Sequence, residues 1–186
     1  FESNDKQAAL LREELKKDGV FLLNLMSSPG SGKTTTLTRT IEALKDDLKI
    51  GVMEADIDSD VDAETILKTG AKAIQLHTGG MCHLDADMTR QGLKGLGTDD
   101  VELVILENVG NLVCPAMFDL GESKKVVIVS TTEGDDKPLK YPHIFQEADI
   151  CVINKIDLAP YVGASLEVME RDSKKMRGER PFLFTN

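Results

Sequence analysis

The segment Ser27-Ser-Pro-Gly-Ser-Gly-Lys-Thr34 lies between an apolar run, Val20 to Met26, and a stretch of helical periodicity. It follows the pattern of a phosphate-binding loop, except that Ser27 stands where the first glycine is usual. Gly30 and Gly32 allow backbone angles that turn successive N–H groups toward phosphate oxygens. The helix that follows adds the positive end of its dipole. The segment therefore predicts an α/β fold with a phosphate site after the first strand.

Several side chains of this phosphate loop have predicted roles. Lys33 is expected to reach the β- and γ-phosphates as a catalytic residue, and Thr34 to offer its hydroxyl to Mg²⁺. The alternative is a glycine-rich turn that binds nothing. The residues predicted to bind the phosphates are Gly30, Ser31, Gly32, Lys33, Thr34 and Thr35.

Strand-like and helix-like stretches alternate along the chain, and strands that are apolar on both faces indicate a mostly parallel sheet covered by helices. Strands are predicted over residues 20–26, 50–55, 73–76, 101–107, 126–130, 150–154 and 182–184. Helices are predicted over residues 3–17, 34–47, 84–93 and 165–176, with another after Asp60. We predict a three-layer, doubly wound α/β fold, the G domain of a P-loop NTPase. The 186 residues suit a single domain, 1–186, with an N-terminal helix in residues 1–18 whose apolar face holds Ala9, Leu10, Leu11 and Leu15.

Composition argues against several classes of protein. The net charge of −10, with no basic block longer than two residues, argues against nucleic acid, whose binding needs clustered lysine and arginine. The longest apolar run is too short to span a bilayer, so we expect no membrane partner. None of the three cysteines has a spacing typical of a disulfide framework, which fits a reducing, cytoplasmic setting with thiols available for metal.

The tetrapeptide Asn154-Lys-Ile-Asp157 follows an apolar strand and has the pattern that reads guanine in GTPases. Asp157 can accept hydrogen bonds from guanine N1–H and the exocyclic amine, whereas adenine presents a bare N1 acceptor that a carboxylate repels. Two charge-assisted bonds favour GTP over ATP by roughly 100-fold or more, so the predicted ligands are GTP and GDP. Lys155 is expected to lie along the base and Asn154 to brace neighbouring loops. The alternative is a turn in which Asp157 caps a helix.

A second carboxylate at a strand end is needed to hold Mg²⁺ together with Thr34. The strand of residues 101–107 ends in Glu107-Asn-Val-Gly110, which resembles the Asp-x-x-Gly switch of GTPases with Glu in place of Asp. Glu107 is predicted to bind Mg²⁺ directly or through water, and the N–H of Gly110 to sense the γ-phosphate. Asp56, just past the second strand, is the other predicted catalytic carboxylate and Mg²⁺ ligand.

Asn111 follows the switch glycine, where many fast GTPases carry a longer, water-orienting glutamine. We therefore expect slow intrinsic hydrolysis, about 10⁻⁴ to 10⁻² s⁻¹ as in unassisted GTPases. The other acidic side chains near Asp56 fit a solvated loop and helix start equally well; they are Asp58, Asp60 and Asp62.

Cysteine and histidine occur in two loops, one of which follows the switch closely in the sequence. Cys82-His83 lies in Thr78-Gly-Gly-Met-Cys-His-Leu-Asp85, and Cys114 lies four residues after Gly110. Two thiolates and an imidazole form a soft ligand set that suits Ni²⁺ or Zn²⁺ and leaves one coordination position open. The closeness of Cys114 to the switch provides a route from the γ-phosphate to metal affinity. On spacing alone, a free buried cysteine and a surface histidine explain the pattern better than a shared site; Cys151, within an apolar strand, is predicted to be core.

Three segments together resemble one family. Thr78-Gly-Gly-Met-Cys-His-Leu-Asp-Ala86, Glu107-Asn-Val-Gly-Asn-Leu-Val-Cys-Pro115 and Thr132-Glu-Gly-Asp-Asp-Lys-Pro-Leu-Lys-Tyr-Pro142 resemble the HypB family, the GTPases that insert nickel into [NiFe]-hydrogenases. The resemblance runs from about Leu22 to the last residues. It implies a G domain that dimerises with GTP, and delivery to the hydrogenase large subunit with a HypA-like nickel partner. It also implies a nickel or zinc site at the dimer interface, built from Cys82, His83 and Cys114.

The sequence departs from the family pattern near its ends. It shows no N-terminal cysteine motif or histidine-rich tract, so high-affinity nickel capture is not implied. The loop that touches guanine O6 is expected to begin near Thr185 and Asn186, and we do not expect this sequence to include the helix that usually follows it. Three alternatives remain: the related urease accessory GTPase, a P-loop small-molecule kinase that prefers ATP, and a binding switch whose cysteines are structural.

Overall fold

The computed structural model describes the backbone of residues 1–55 and 60–186, and the side chains of residues 1–55 and 64–186. The strands are β1 (Phe21–Ser27), β2 (Ile50–Glu54), β3 (Lys72–Gln75), β4 (Leu103–Glu107), β5 (Lys124–Ser130), β6 (Ile150–Asn154) and β7 (Phe182–Phe184). The α-helices are α1 (Glu2–Lys17), α2 (Lys33–Leu44), α3 (Asp60–Leu67), α4 (Ala86–Leu96), α5 (Lys137–Lys140), α6 (Pro142–Glu147), α7 (Ala159–Val162) and α8 (Leu166–Arg177).

The described strands form one sheet in the order β3-β2-β4-β1-β5-β6-β7, and each pair of neighbours is parallel. β1 lies near the centre, between β4 and β5, and the chain moves outward from it in both directions. Parallel neighbours need crossover connections, which the helices supply. The predicted doubly wound α/β fold is therefore confirmed, and the sheet is parallel throughout the described strands.

Different helices cover the two faces of the sheet. α1 and α4 bury Leu11 and Leu93 in a hydrophobic cluster that includes Leu22 of β1. α2 buries Leu37 in another cluster, which includes Leu25 of β1. Because successive side chains of a strand point to opposite faces, Leu22 and Leu25 mark the two sides of the central strand and give the predicted three layers. Among the described helices, none combines the length and the apolar composition that crossing a membrane requires.

The buried face of α1 differs from the prediction. Ala8, Leu11 and Leu15 are buried, whereas Leu10 is 56% exposed and Ala9 also faces solvent. The prediction that Ala9 and Leu10 share the apolar face was wrong, because it followed a run of apolar residues. The 3.6-residue period of a helix instead brings positions 8, 11 and 15 onto one stripe. This stripe packs α1 against α4 and β1.

Capping chemistry and proline set boundaries that periodicity did not predict. The helix expected over residues 84–93 begins at Ala86, because the Asp85 carboxylate caps it by accepting from Met88 N at 2.8 Å, and it ends at Leu96, before the positive φ of Gly97. The strand expected over residues 101–107 begins only at Leu103. The short helices α5, α6 and α7 each carry a proline in the first turn and are too short to show a helical period.

Candidate functional site

Several predicted site residues lie at one edge of the sheet. β1 ends at Ser27, β4 at Glu107 and β6 at Asn154, and these strands are parallel. The carboxyl ends of parallel strands lie on the same side, where ligands bind in open α/β folds. This edge therefore carries the phosphate loop, the switch segment Glu107–Gly110 and the tetrapeptide Asn154–Asp157.

At two positions the phosphate loop has a backbone that favours glycine. Gly30 has a φ of 70° and Gly32 a φ of 88°, both left-handed. A side chain at position 32 would place its Cβ 2.5 Å from Asn154 Nδ2, so the loop closely approaches the end of β6. α2 begins at Lys33, directly after the loop, and its N-terminus faces the same edge. Ser27, where the motif usually has glycine, is the buried last residue of β1, so its side chain is accommodated by the strand.

Lys33 and Glu107 form a buried ion pair. Lys33 Nζ lies 3.2 Å from Glu107 Oε1, and the two side chains are 8% and 0% exposed. Lys33 Nζ also donates to the carbonyl oxygen of Asn108 at 2.9 Å. Neither carboxylate oxygen of Glu107 accepts a hydrogen bond from the part of the chain that the structure describes. A buried carboxylate with unused lone pairs, next to the phosphate loop, fits an oxygen ligand of Mg²⁺.

The other residues predicted to contact phosphate or Mg²⁺ lie on α2, in the loop after β4, or outside the described residues. Thr34 and Thr35 are the second and third residues of α2, Thr34 half-buried and Thr35 exposed. Gly110 lies in the loop that leaves β4 after Glu107. Asp56 lies outside the described residues, as does Asp58, and the side chains of Asp60 and Asp62 are likewise not described.

A chain of buried polar side chains runs beneath the phosphate loop and was not predicted. Asn24, in the middle of β1, donates from Nδ2 to Glu122 Oε1 at 3.1 Å and accepts from Asn108 Nδ2 at 3.1 Å. Asn108 in turn accepts the Lys33 ammonium through its carbonyl oxygen. Burial raises the pKa of Glu122, against the opposing effects of Lys125 and of the Asn24 bond. The signal in the sequence was Asn24, a polar residue that interrupts an apolar strand.

A cavity of about 660 Å³ opens between α2 and the end of β6. Asn154 Nδ2 donates to Ser31 O at 2.9 Å, and its Oδ1 accepts from Thr185 Oγ1 at 2.9 Å. Lys155 has a left-handed backbone, with a φ of 60°, and its Nζ donates to Gly30 O at 2.7 Å. Asn154 thus joins the phosphate loop to Thr185, the bracing contact that its place in the motif predicts.

Asp157 is exposed and lies in a short 3-10 turn, Ile156–Leu158, two residues beyond Lys155. The segment around Thr185 pairs with both sides of the motif: Thr185 N donates to Ile153 O at 2.9 Å, and Ile156 N donates to Thr185 O at 3.1 Å. These bonds hold the end of β6 and the turn after it in a fixed relation. Asp157 therefore stands on a braced turn near the cavity, with its carboxylate in contact with solvent.

Glu133 is another site residue that sequence reasoning missed, although it lies in one of the motifs quoted above. Its carboxylate accepts the hydroxyl of Ser28 in the phosphate loop and the backbone N–H of Ser130, the latter at 3.0 Å. Glu133 ends the 3-10 turn Thr131–Glu133 after β5, where a reciprocal capping box with Ser130 closes the turn. It thus fastens the phosphate loop to the end of β5.

The loop of Cys82 and the turn of Cys114 lie side by side. Asn111 Nδ2 donates to Cys82 O at 2.8 Å, and its Oδ1 accepts from Cys114 N at 2.8 Å. Cys82 Sγ lies 3.8 Å from His83 Nδ1. The hydrogen bond with Cys82, together with burial, raises the pKa of the Cys114 thiol. The predicted ligands are therefore neighbours, although within the described residues no three His, Cys, Asp or Glu side chains surround one metal position.

Cys151 is fully buried in β6, which confirms that it belongs to the core, and burial raises the pKa of its thiol to about 12. The three cysteines therefore differ in reactivity, since the thiolate is the nucleophile. We expect iodoacetamide to label native Cys82, which is exposed, first, partly buried Cys114 more slowly, and Cys151 last. Tryptic peptides separate the three residues, so mass spectrometry can follow each one, with labelling in urea as the control. Rapid labelling of Cys151 in the native protein would contradict this prediction.

Comparison with known proteins adds to this geometry. Residues 21–184 match the family model described as CobW/HypB/UreG, nucleotide-binding domain. The hydrogenase maturation factor HypB of Rhizobium leguminosarum bv. viciae is 54% identical over 159 residues, which make up 86% of this chain and 53% of that protein. The chain thus spans about half the length of that relative.

Two crystal structures share the fold at high identity. Hydrogenase maturation factor HypB from Archaeoglobus fulgidus matches with a TM-score of 0.93 and 44% identity, covering 99% of this chain and 90% of that one. HypB from Helicobacter pylori, in complex with nickel, matches with a TM-score of 0.89 and 40% identity, covering 98% and 86%. Since sequence, fold and the arrangement of the motifs agree, the chain belongs to the CobW/HypB/UreG family of nucleotide-binding domains and is similar to its HypB members.

Proposed function

We propose that the chain is a GTP-hydrolysing metallochaperone domain that binds Ni²⁺ or Zn²⁺ and assists nickel insertion into [NiFe]-hydrogenase. The observation that carries the proposal is the link through Asn111, which joins the Cys82 carbonyl to the Cys114 N–H directly after the switch glycine. One residue of a soft ligand set, Cys114, thereby lies on the segment that leaves the phosphate site, and the loop of the other two lies beside it. The HypB hydrogenase maturation factors among its relatives support this choice over a kinase.

In this proposal the phosphate loop and α2 hold the phosphates of GTP, and the end of β6 holds the base. Lys33 takes the β- and γ-phosphates, and Asp157 takes guanine N1–H and the exocyclic amine. Thr34 and Glu107 hold Mg²⁺, with Asp56 as a further ligand; the ion supplies positive charge to the β- and γ-phosphate oxygens. The ion pair between Lys33 and Glu107 holds the lysine at the edge of the sheet that carries the phosphate loop.

Ni²⁺ or Zn²⁺ is the cargo of the proposed protein, held by Cys82, His83 and Cys114. Cys114 begins the 3-10 turn Cys114–Met117, a few residues beyond the glycine proposed to sense the γ-phosphate, Gly110. A shift of that glycine would move Cys114 relative to Cys82, because the connecting segment is short. Metal affinity would then depend on the nucleotide state.

The proposed partners follow from the incomplete ligand set. Three protein ligands leave a position open, which a second copy can complete across a twofold axis, so we propose a homodimer that forms with GTP. We further propose a HypA-like nickel partner and the hydrogenase large subunit as acceptor, in the cytoplasm. The HypB of Helicobacter pylori was crystallised with nickel, which supports nickel as the cargo. A urease-type nickel accessory role is the second candidate within the same family.

Slow turnover is expected of the isolated protein. We expect it to convert GTP to GDP at about 10⁻⁴ to 10⁻² s⁻¹, because Asn111 is shorter than a water-orienting glutamine and is engaged with the two cysteine loops. Phosphate release under single-turnover conditions measures the rate, with Lys33→Met as the inactive control. A rate well above this range, or a preference for ATP, would favour the kinase instead.

Metal binding is tested by titrating Ni²⁺ into the reduced protein, with and without a non-hydrolysable GTP analogue. We expect a thiolate-to-nickel charge-transfer band, against a low background because the chain has no Trp and two Tyr. The band should change with nucleotide, disappear in Cys82→Ala and Cys114→Ala, and persist in Cys151→Ala, the matched control. If no band appears with or without the GTP analogue, the metal proposal fails, and the chain is a G protein whose cysteines are structural.

A further inference from the structure

Phe118 lies against the proposed metal site, although the proposed function assigns it no role. Its ring is stacked on the His83 imidazole, with ring centroids 3.9 Å apart and planes only 3° from parallel. Phe118 directly follows the turn Cys114–Met117, which begins with Cys114. The stack therefore joins the Cys82–His83 loop to the segment beyond Cys114 through a contact separate from Asn111.

Phe118 is held firmly enough to orient its neighbour. It packs against the hydrophobic cluster beneath α1 and α4, and the ring of Phe1 stacks on it at 5.3 Å. The next residue, Asp119, is ion-paired with Arg12 of α1 and accepts Gly121 N at 2.9 Å. The backbone and ring of Phe118 are therefore fixed from two sides.

The loop of His83 is fastened to the same helix. Asn4 of α1 donates from Nδ2 to Asp119 O at 2.9 Å, and its Oδ1 accepts Ala86 N at 2.9 Å. One side chain thus bridges the segment after Phe118 and the start of α4, three residues after His83. α1 is consequently bonded to both of the segments that carry the stacked rings.

The distance between the side chains of Cys82 and His83 suits one metal ion. A Zn–S bond of about 2.3 Å and a Zn–N bond of about 2.1 Å at a tetrahedral angle place the sulfur and nitrogen about 3.6 Å apart. Cys82 Sγ and His83 Nδ1 are 3.8 Å apart. Rotation of the imidazole out of its parallel stack on Phe118 would change the position of Nδ1 relative to the thiol. A metal-bound imidazole is electron-poor, which strengthens its attraction to the face of a phenyl ring.

We propose that Phe118 is a positioning residue of the metal site, whose ring holds the His83 imidazole so that Nδ1 and Cys82 Sγ are preformed as a pair for Ni²⁺ or Zn²⁺. The inference rests on the proposed function and deepens it, since it names the coordinating nitrogen and the residue that aims it. Groups outside the ligand set that orient a metal-binding histidine commonly contribute 10- to 100-fold in affinity. Loss of the Phe118 ring is expected to cost roughly tenfold or more.

The test combines chelator-competition titrations of Ni²⁺ and Zn²⁺ with histidine NMR of the metal-free protein. Phe118→Leu should weaken binding of both metals roughly tenfold or more, whereas Phe118→Tyr, which keeps the ring, should bind as the parent does. Phe182→Leu, which removes another half-buried phenyl ring on the edge strand β7, is the control and should leave affinity unchanged. In the parent, the carbon-bound ring protons of His83 should resonate upfield of those of His77 and His143, and Phe118→Leu should abolish this shift.

The outcomes separate this inference from the proposed function. Parent-like metal affinity in Phe118→Leu, alongside loss of binding in Cys82→Ala, would overturn the role of Phe118 and leave the metallochaperone proposal standing. Metal binding that is absent from the parent, or that survives Cys82→Ala, would overturn both. If Phe118→Leu does not fold, the parent spectrum still decides, because His83 protons without an upfield shift would show that the stack does not form.

Discussion

Replacing Asp157 by asparagine is expected to weaken GTP binding by roughly 100-fold or more, because two charge-assisted hydrogen bonds to guanine are lost. The same change should create a preference for xanthosine triphosphate. Xanthine has a carbonyl where guanine has its exocyclic amine, and an asparagine side chain can accept from N1–H while donating to that carbonyl. Displacement of a fluorescent GDP analogue by each of the two nucleotides, at a fixed Mg²⁺ concentration, measures both effects.

The expected exchange of specificity distinguishes base recognition from a structural role. Asp157 is exposed and stands on a turn held by Thr185 and Ile153, so an isosteric amide should leave the fold intact. Asp99→Asn, at an exposed position outside the cavity, serves as the matched control and should keep the parent affinities. Equal loss of GTP and xanthosine triphosphate binding would assign Asp157 to the turn and not to the base.

Replacing Lys33 by methionine is expected to lower the free energy of unfolding of the nucleotide-free protein by about 3–5 kcal/mol. The physical reason is the burial of its partner: Glu107 is fully buried, and the pair stands at 3.2 Å. Removing the ammonium leaves an uncompensated carboxylate beneath the phosphate loop. Urea unfolding without nucleotide measures this cost, and under the proposed function the same variant should also lose nucleotide binding.

A double replacement shows how much of the loss of stability in Lys33→Met comes from the unpaired charge of Glu107. Lys33→Met combined with Glu107→Gln should recover much of the lost stability, because the buried charge is removed together with its partner. Lys72→Met offers a matched control: Lys72 pairs with Asp100 at 2.7 Å, but both side chains are exposed to solvent, so the expected loss of stability is small. Strict additivity of the two single costs would mean that Lys33 and Glu107 do not stabilise each other.

Features that depend on residues close together in the sequence could be predicted from the sequence. The phosphate loop needs glycine at two left-handed positions, and Gly30 and Gly32 occupy them. The alternation of apolar strands and helices predicted a parallel sheet, and the strand ends then placed Glu107 and Asn154 at one edge. The error at Leu10 arose where the apolar run and the helical period disagree, and the period prevailed.

The sequence by itself thus determined the fold class, the phosphate loop and the family, because each depends on residue types at short, regular spacings. Only the tertiary structure decided which distant side chains meet. Asn24 and Glu122 are 98 positions apart, and Ser28 and Glu133 are 105 apart, so no local sequence pattern predicts these hydrogen bonds. The stacking of His83 on Phe118 likewise depends on how α1 packs across both segments. These contacts follow from the three-dimensional packing of the layers, which propensity and spacing along the chain do not encode.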